Sequence, residues 1–190
     1  MTPRGRLVVS GGIGSGKSTV VGVLRALGWS SIDADEVGHE VLTDPAVVEA
    51  VRARWPKAVV RGEVQRAGLG AIVFSDTREL AALEDITHPP ITEKIESWIS
   101  KSALPKVVEV SVLKVARPDW GPLAIVHAPL AIRMKRAVGR GMARDDAEAR
   151  MAAQPPDREW LAAADVVIDN QGTLDELQKA AKQLAANLRQ

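Results

Sequence analysis

The sequence predicts an α/β protein: a parallel β-sheet with helices on both faces. Two observations lead there. Short Val/Ile/Leu-rich runs alternate along the chain with helical patterns, and the first of these runs passes through a glycine-rich stretch straight into a helix. At 190 residues the chain is long enough for one domain with a full core, carrying an inserted subdomain, and short for two independent ones.

Residues 6–10 read as a short buried strand, and residues 16–27 as a helix stopped by Gly28, the residue type that tolerates a left-handed C-terminal cap. A second strand at 29–32 ends in Asp33-Ala34-Asp35. Helical patterns then follow at 36–42, 45–55, 68–73, 77–86 and 89–100, a block that is nearly all helix. Strand character returns at 106–113 and 123–127, then helices at 130–138, 145–154 and 157–163, a strand at 165–168 and a last helix from 173 onward. The expected organisation is a core from 1–33, 104–129 and 164–190, a helical insertion at 34–103, and a smaller arginine-rich insertion at 130–163.

Composition narrows the class. With 46% hydrophobic residues, 26% charged residues and a net charge of +1, the chain reads as soluble and globular, and a general nucleic-acid binder would be more basic. No apolar run is long enough to span a bilayer and no signal-peptide pattern opens the chain, so a cytoplasmic location without membrane contact is expected. Cysteine is absent, which excludes disulfides and thiolate chemistry, and the only histidines are His39, His88 and His127. Trp29, Trp55, Trp98, Trp120 and Trp160 are expected in core or subdomain packing. A monomer and a small homo-oligomer are both compatible with these totals.

The strongest local signal is SGGIGSGKST at 10–19, which fits G-x-x-x-x-G-K-[ST] at every fixed position. Wrapping a polyphosphate takes consecutive backbone N–H groups, which side chains at the glycine positions would obstruct, and the following helix aims its positive end at the anion. Gly12, Ile13, Gly14, Ser15, Gly16, Ser18 and Thr19 are thus the expected cradle of a nucleoside triphosphate, Lys17 the partner of its outer phosphates, and the Ser18 hydroxyl a ligand for Mg2+. The bland alternative, a glycine-rich turn with an accidental lysine, does not require the strand-to-helix setting this stretch has. Guanine-reading signatures such as N-K-x-D are missing, which turns the reading toward small-molecule kinases.

Such a kinase needs an acidic group near its acceptor and cations over the transferred phosphoryl group. Asp33 and Asp35 stand at the carboxyl end of the second strand, where open α/β sheets place ligands, and as residues i and i+2 of a strand end both would face one side. Either carboxylate is able to take the acceptor's proton or to cap the helix near residue 36; for Asp33 both readings stay open. Between 133 and 150 lie Arg133, Lys135, Arg136, Arg140, Arg144 and Arg150. Arg140, between Gly139 and Gly141, sits where a closing lid would bend, whereas Lys135, Arg144 and Arg150 read as ordinary solvated charges.

Taken together, SGGIGSGKST at 10–19, IDAD at 32–35, QRAGLGAIVF at 65–74, LEDITHPPI at 83–91, RMKRAVGRGMARDDAEARMAAQ at 133–154 and AADVVIDNQG at 163–172 resemble the dephospho-coenzyme A kinases over nearly the whole chain. The resemblance implies a three-layer P-loop kinase fold with a helical acceptor-binding insertion and a lid. The implied substrates are ATP, with Mg2+, and dephospho-CoA, whose ribose 3′-hydroxyl is phosphorylated. It further implies that Asp35 is the base, that Lys17 and Arg140 stabilise the phosphates, that Asn170 and Gly172 lie near the adenine, and that Arg66 and His88 line or support the acceptor site, as Asp33 also would. His88 reads equally as a structural histidine anchoring a helix opened by Pro89.

Two departures stand out. Where the family usually reads D-x-P-L-L-x-E, this chain has EVSVLKV at 109–115, with Ser111 in place of the proline and Val115 in place of the glutamate. Trp160 occupies a position that is often basic, a change Arg158 would offset. These departures leave room for a related kinase with another nucleotide-like acceptor, or for a nucleotide-binding homologue that has lost transfer.

Overall fold

Runs such as LVV and KVVEV are too rich in β-branched residues to favour helix, and they form the inside of a sheet, the second of them burying Lys106 and Glu109 along with its valines. The structure, a computed structural model, describes residues 5–103 and 105–188. Two units make up the chain, one drawn from its two ends up to Asp33 and from Lys101 onward, the other Ala34–Ser100. In chain order the strands are β1 (Arg6–Ser10), β2 (Ser30–Asp33), β3 (Val59–Val60), β4 (Glu63–Val64), β5 (Lys106–Val110), β6 (Leu123–His127) and β7 (Val166–Asp169). The helices are α1 (Lys17–Ala26), α2 (Ala34–Val41), α3 (Pro45–Arg54), α4 (Arg66–Val73), α5 (Thr77–Lys101), α6 (Leu130–Gly139), α7 (Arg144–Ala152), α8 (Asp157–Ala163) and α9 (Leu174–Asn187).

In the first unit five strands form one sheet in the order β2-β5-β1-β6-β7, each neighbouring pair parallel, as the strand–helix alternation predicts. β5 and β1 lie inside it, and every residue of β5 is buried. On one face α1 and α9 bring Val20, Val21, Leu24, Leu177, Ala181 and Leu184 against Leu7, Val9, Val107, Ala124, Val126 and Ile168. Each large aliphatic side chain buried there contributes about 1.5–3 kcal/mol. Val8, Val108 and Ile125 point the other way and are equally buried. The central position of β1 in this sheet is what puts the glycine loop in the middle of the carboxyl edge.

The last helix opens with a reciprocal cap. Thr173 Oγ1 accepts from the Glu176 N–H, while the Glu176 carboxylate accepts from the Thr173 N–H at 2.7 Å. That backbone bond, reinforced by the Thr173 hydroxyl, holds the Glu176 carboxyl below its ordinary value. A carboxylate depressed in the folded state stabilises above its unfolded pKa, and the contribution fades as pH falls through the folded pKa. The difference in urea midpoint between the native chain and Glu176→Gln is therefore expected to be largest near neutral pH and to shrink steadily in acid. A difference that grew in acid would contradict the cap.

The second unit is mostly helical. Asp44 accepts from the Ala46 N–H and Pro45 starts α3, an ordinary sequence-coded entry. Two expectations fail here. The block also contains a small hairpin, β3 with β4, whose two-residue turn is Arg61-Gly62 with both φ values positive (53° and 87°); Arg-Gly is a weaker turn signal than Asn-Gly, which hid it. The expected helices at 77–86 and 89–100 are one helix, α5, with Pro89 and Pro90 inside. Its buried residues Thr87, Ile91, Ile95 and Ile99 continue at four-residue spacing across the prolines, so packing outweighs the lost backbone bonds.

Two further corrections concern the first unit. The strand expected at 106–113 ends at Val110, and Leu113–Val115 forms a single 3-10 turn. Of the tryptophans, Trp29, Trp120 and Trp160 are buried in this unit and Trp55 in the other, in line with core packing.

Candidate functional site

The glycine loop runs from the end of β1 to the first turn of α1. Gly16 caps α1 at φ 107°, a left-handed conformation, and no side chain closes that helix end. Lys17 Nζ donates to the Gly11 carbonyl at 2.8 Å, which holds the ammonium across the mouth of the loop. Ser15 Oγ is buried with no hydrogen-bond partner, and so is Arg136 Nη1. Orphaned donors of this kind, at an open helix N-terminus, are what an anionic ligand would satisfy.

The glycines of this loop answer to neighbours as well as to a ligand. A Cβ on Gly12 would stand 2.3 Å from Arg133 Nη1, one on Gly14 2.5 Å from the Arg133 carbonyl oxygen, and one on Gly16 2.4 Å from Asn170 Nδ2. Asn170, at the end of β7 and buried, donates through Nδ2 to the Ser15 carbonyl at 2.6 Å and accepts from Arg136 Nη2 at 3.2 Å. Ile13 packs as a peg into the small cluster of Ala137, Ala147 and Met151 formed by α6 and α7, and its N–H donates to Gln154 Oε1 at 2.9 Å. The segment expected to be a lid is thus in contact with the tip of the loop.

Glu109, the first residue of the altered segment 109–115, reaches the phosphate-loop motif. Its carboxylate accepts from Ser18 Oγ at 3.0 Å, and in the parallel ladder it stands between Val9 of β1 and Asp33 of β2. The sequence signal is slight, one acidic residue inside VVEV on a strand that also holds Lys106, and the need for a partner shows only in the fold, where 8% of the Glu109 surface is exposed. Ser18 and Glu109 together offer hard oxygen donors, the set that suits Mg2+.

The remaining predicted residues fall in several places. Asp33 closes β2, but Asp35 lies exposed in the first turn of α2, so the expected strand-end geometry, with both carboxylates at i and i+2 on one strand, is not what forms. Arg140 is the exposed C-terminal cap of α6, its Nε donating to the Arg136 carbonyl at 3.3 Å; Gly139 is still helical and only Gly141 is left-handed. Gly172 is exposed, and a Cβ there would stand 2.0 Å from Glu176 Oε2, so a side chain at that position would have to displace the carboxylate that closes the α9 cap. In the second unit Arg66 opens α4 and its Nη2 lies 2.6 Å from His39 Nε2. His88 is half-buried in the middle of α5, which corrects the expectation that it precedes a helix begun by Pro89. Trp160 is a packing residue whose Nε1 donates to the Pro155 carbonyl, and the neighbouring Arg158 is exposed.

Comparison with known proteins gives this geometry a family. A family model described as dephospho-CoA kinase matches residues 6–176. A dephospho-CoA kinase from Frankia casuarinae is 39% identical over 89% of this chain and 77% of its own length. The crystal structure of TT1252 from Thermus thermophilus superposes with a TM-score of 0.81 at 33% identity, covering 96% of each chain. A dephospho-CoA kinase from Campylobacter jejuni shares the fold, with a TM-score of 0.72 at 23% identity over 98% of each chain. With a P-loop between β1 and α1, a parallel five-stranded sheet and a match that spans nearly every element, the chain belongs to the dephospho-CoA kinase family.

Proposed function

We propose that this chain phosphorylates the ribose 3′-hydroxyl of dephospho-CoA with ATP, and that residues 11–19 hold the triphosphate. The observation that carries the reading is the loop itself: an uncapped α1 N-terminus, Lys17 fixed on the Gly11 carbonyl, and Ser18 on Glu109, in a member of this kinase family. In the transfer, a bond forms from the 3′-oxygen to the γ-phosphorus, the bond from that phosphorus to the β–γ bridging oxygen breaks, and the hydroxyl proton passes to Asp35. Lys17 and Arg140 balance charge on the phosphoryl oxygens, and residues 130–163 act as the lid that excludes water. Residues 34–103 form the acceptor-binding part, with Arg66, His88 and Asp33 on the acceptor's side. Asn170 and Gly172 flank the adenine.

Ser18 and Glu109 would hold the magnesium ion, directly or through water. An ion held there would supply neutralisation of negative charge on the triphosphate. Glu109→Gln keeps the shape and the bond from Ser18 but removes the charge. It is expected to raise the Mg2+ concentration needed for half-maximal rate by about 10–100-fold. An unchanged Mg2+ dependence would remove Glu109 from that role.

No helix among the described residues is long and apolar enough to cross a membrane, and the proposed substrates are small polar molecules of the cytoplasm, where we place the enzyme. The decisive experiment is to incubate the purified protein with ATP, Mg2+ and dephospho-CoA and to look for ADP and CoA by mass. Formation of both supports the reading. Transfer to adenosine or AMP but not to dephospho-CoA would overturn the acceptor, and ATP binding without transfer to any of them would overturn the activity.

A further inference from the structure

Arg133 lies in a stretch read from sequence as lid, yet its side chain is only 7% exposed, which is rare for an arginine and needs a reason. Three partners fix it. Nε donates to the Ala128 carbonyl at 3.0 Å, Nη2 donates to Asp157 Oδ1 at 2.8 Å, and the other Asp157 oxygen lies 3.3 Å from His127 Nε2. The guanidinium is thereby tied to the end of β6 and to the start of α8. Its remaining nitrogen, Nη1, fills the space in front of the Gly12 Cα, and the backbone of the same residue fills the space in front of Gly14.

From this we infer that Arg133 is a positioning residue for the phosphate loop: it holds the Gly12-Ile13-Gly14 segment in the shape that receives the triphosphate, and it thereby sets the affinity for ATP. The inference rests on the proposed kinase reading. The effect is one of shape and not of charge, because Asp157 sits within hydrogen-bond distance and offsets the guanidinium. A planar fork with three donor nitrogens in fixed relation is able to bond Ala128, bond Asp157 and pack on Gly12 at once; a lysine ammonium is a point and serves one of these places at a time. Gln154 acts on the same segment beside Arg133, accepting from the Ile13 N–H and standing against the same face of Gly12.

Gly12 supplies an internal test. Unlike Gly11, Gly14 and Gly16, it has no positive φ, so alanine at 12 carries no backbone strain. Its cost comes from the side chains against it, Arg133 Nη1 at 2.3 Å and Gln154 Oε1 at 3.2 Å. Because Arg133 is held by its other two nitrogens, it is not able to swing aside as a surface arginine would.

The experiment measures ATP affinity by calorimetry, and KM for ATP and for dephospho-CoA by steady-state kinetics, in the native chain, Gly12→Ala, Arg133→Ala, the double variant and Arg133→Lys. Thermal melting checks that each is folded. Gly12→Ala and Arg133→Lys are each expected to weaken ATP by about tenfold or more, with KM for dephospho-CoA within about twofold. In the Arg133→Ala background, Gly12→Ala is expected to cost less than about twofold, because the severe contact with Nη1 is gone and only the milder one with Gln154 Oε1 at 3.2 Å remains. An equal cost of Gly12→Ala in both backgrounds overturns the inference. So does an Arg133→Lys chain that melts lower but binds ATP as the native chain does, which would make Arg133 structural alone. Failure of the native chain to make CoA while the ATP couplings persist would sink the kinase reading and leave the loop inference standing.

Discussion

Replacing Lys17 by alanine is expected to lower kcat/KM for ATP by about 10²–10³-fold, the usual loss when one preorganised electrostatic donor is removed from a charge-developing site. The expectation comes from where the ammonium is held. Lys17 is the first residue of α1, and its bond to the Gly11 carbonyl at 2.8 Å bends the side chain back over the loop that Gly16 leaves uncapped. A triphosphate seated on the loop amides would meet that charge at its outer phosphates. The fold does not depend on it: the α1 core contacts come from Val20, Val21 and Leu24, and alanine is the better helix former. A melting temperature within a few degrees of native, together with a large kinetic loss, is the expected signature. Lys17→Arg is not expected to rescue, since a fork of five donors does not reproduce a compact ammonium beside a backbone carbonyl. Native ATP affinity and rate in Lys17→Ala would end the proposed phosphate role.

The parts of this arrangement that were legible in the sequence are those coded locally. Glycines at 11, 14 and 16 do adopt positive φ, the helix after the loop starts where the motif says it does, and β6 and α8 have the bounds that periodicity gives. What was hidden depends on residues far apart in the chain. Glu109 reaches Ser18 across 91 residues and Asn170 reaches Ser15 across 155, and neither pairing leaves a trace in spacing or composition. Pro89 and Pro90 mark a helix end by local rules, yet the stripe of buried residues running through them keeps α5 whole. Spacing sets Arg140 apart from Lys135, Arg144 and Arg150 but assigns no separate place to Arg133 or Arg136, and the structure does: Arg133 is buried and fixed, Arg136 is half-buried on Asn170, and Arg140 is exposed. Burial, which sorts these three, is a property of the folded chain and not of the arginine-rich segment.

Asp35→Asn is expected to lower kcat by about 10²–10⁴-fold, the range for loss of a positioned general base, with KM for dephospho-CoA changed only a few-fold. An alcohol is a weak nucleophile, and its oxygen becomes a competent one as its proton leaves along a hydrogen bond to a carboxylate. Asparagine keeps the length and one acceptor oxygen of aspartate, so it is able to orient the hydroxyl but not to take its proton. The two aspartates of IDAD compete for this role, and the structure gives them different settings. Asp33 ends β2 opposite Glu109 in the ladder, whereas Asp35 stands in the first helical turn that follows and is exposed. Asp33→Asn is therefore the matched comparison. It is expected to act mainly on KM for dephospho-CoA, on whose side Asp33 is proposed to lie, and less on kcat. If the two kinetic patterns were reversed, with Asp33→Asn losing turnover and Asp35→Asn losing little, the base would be the strand residue and the helix residue a contributor to the α2 N-terminus, where an aspartate is favoured in any case.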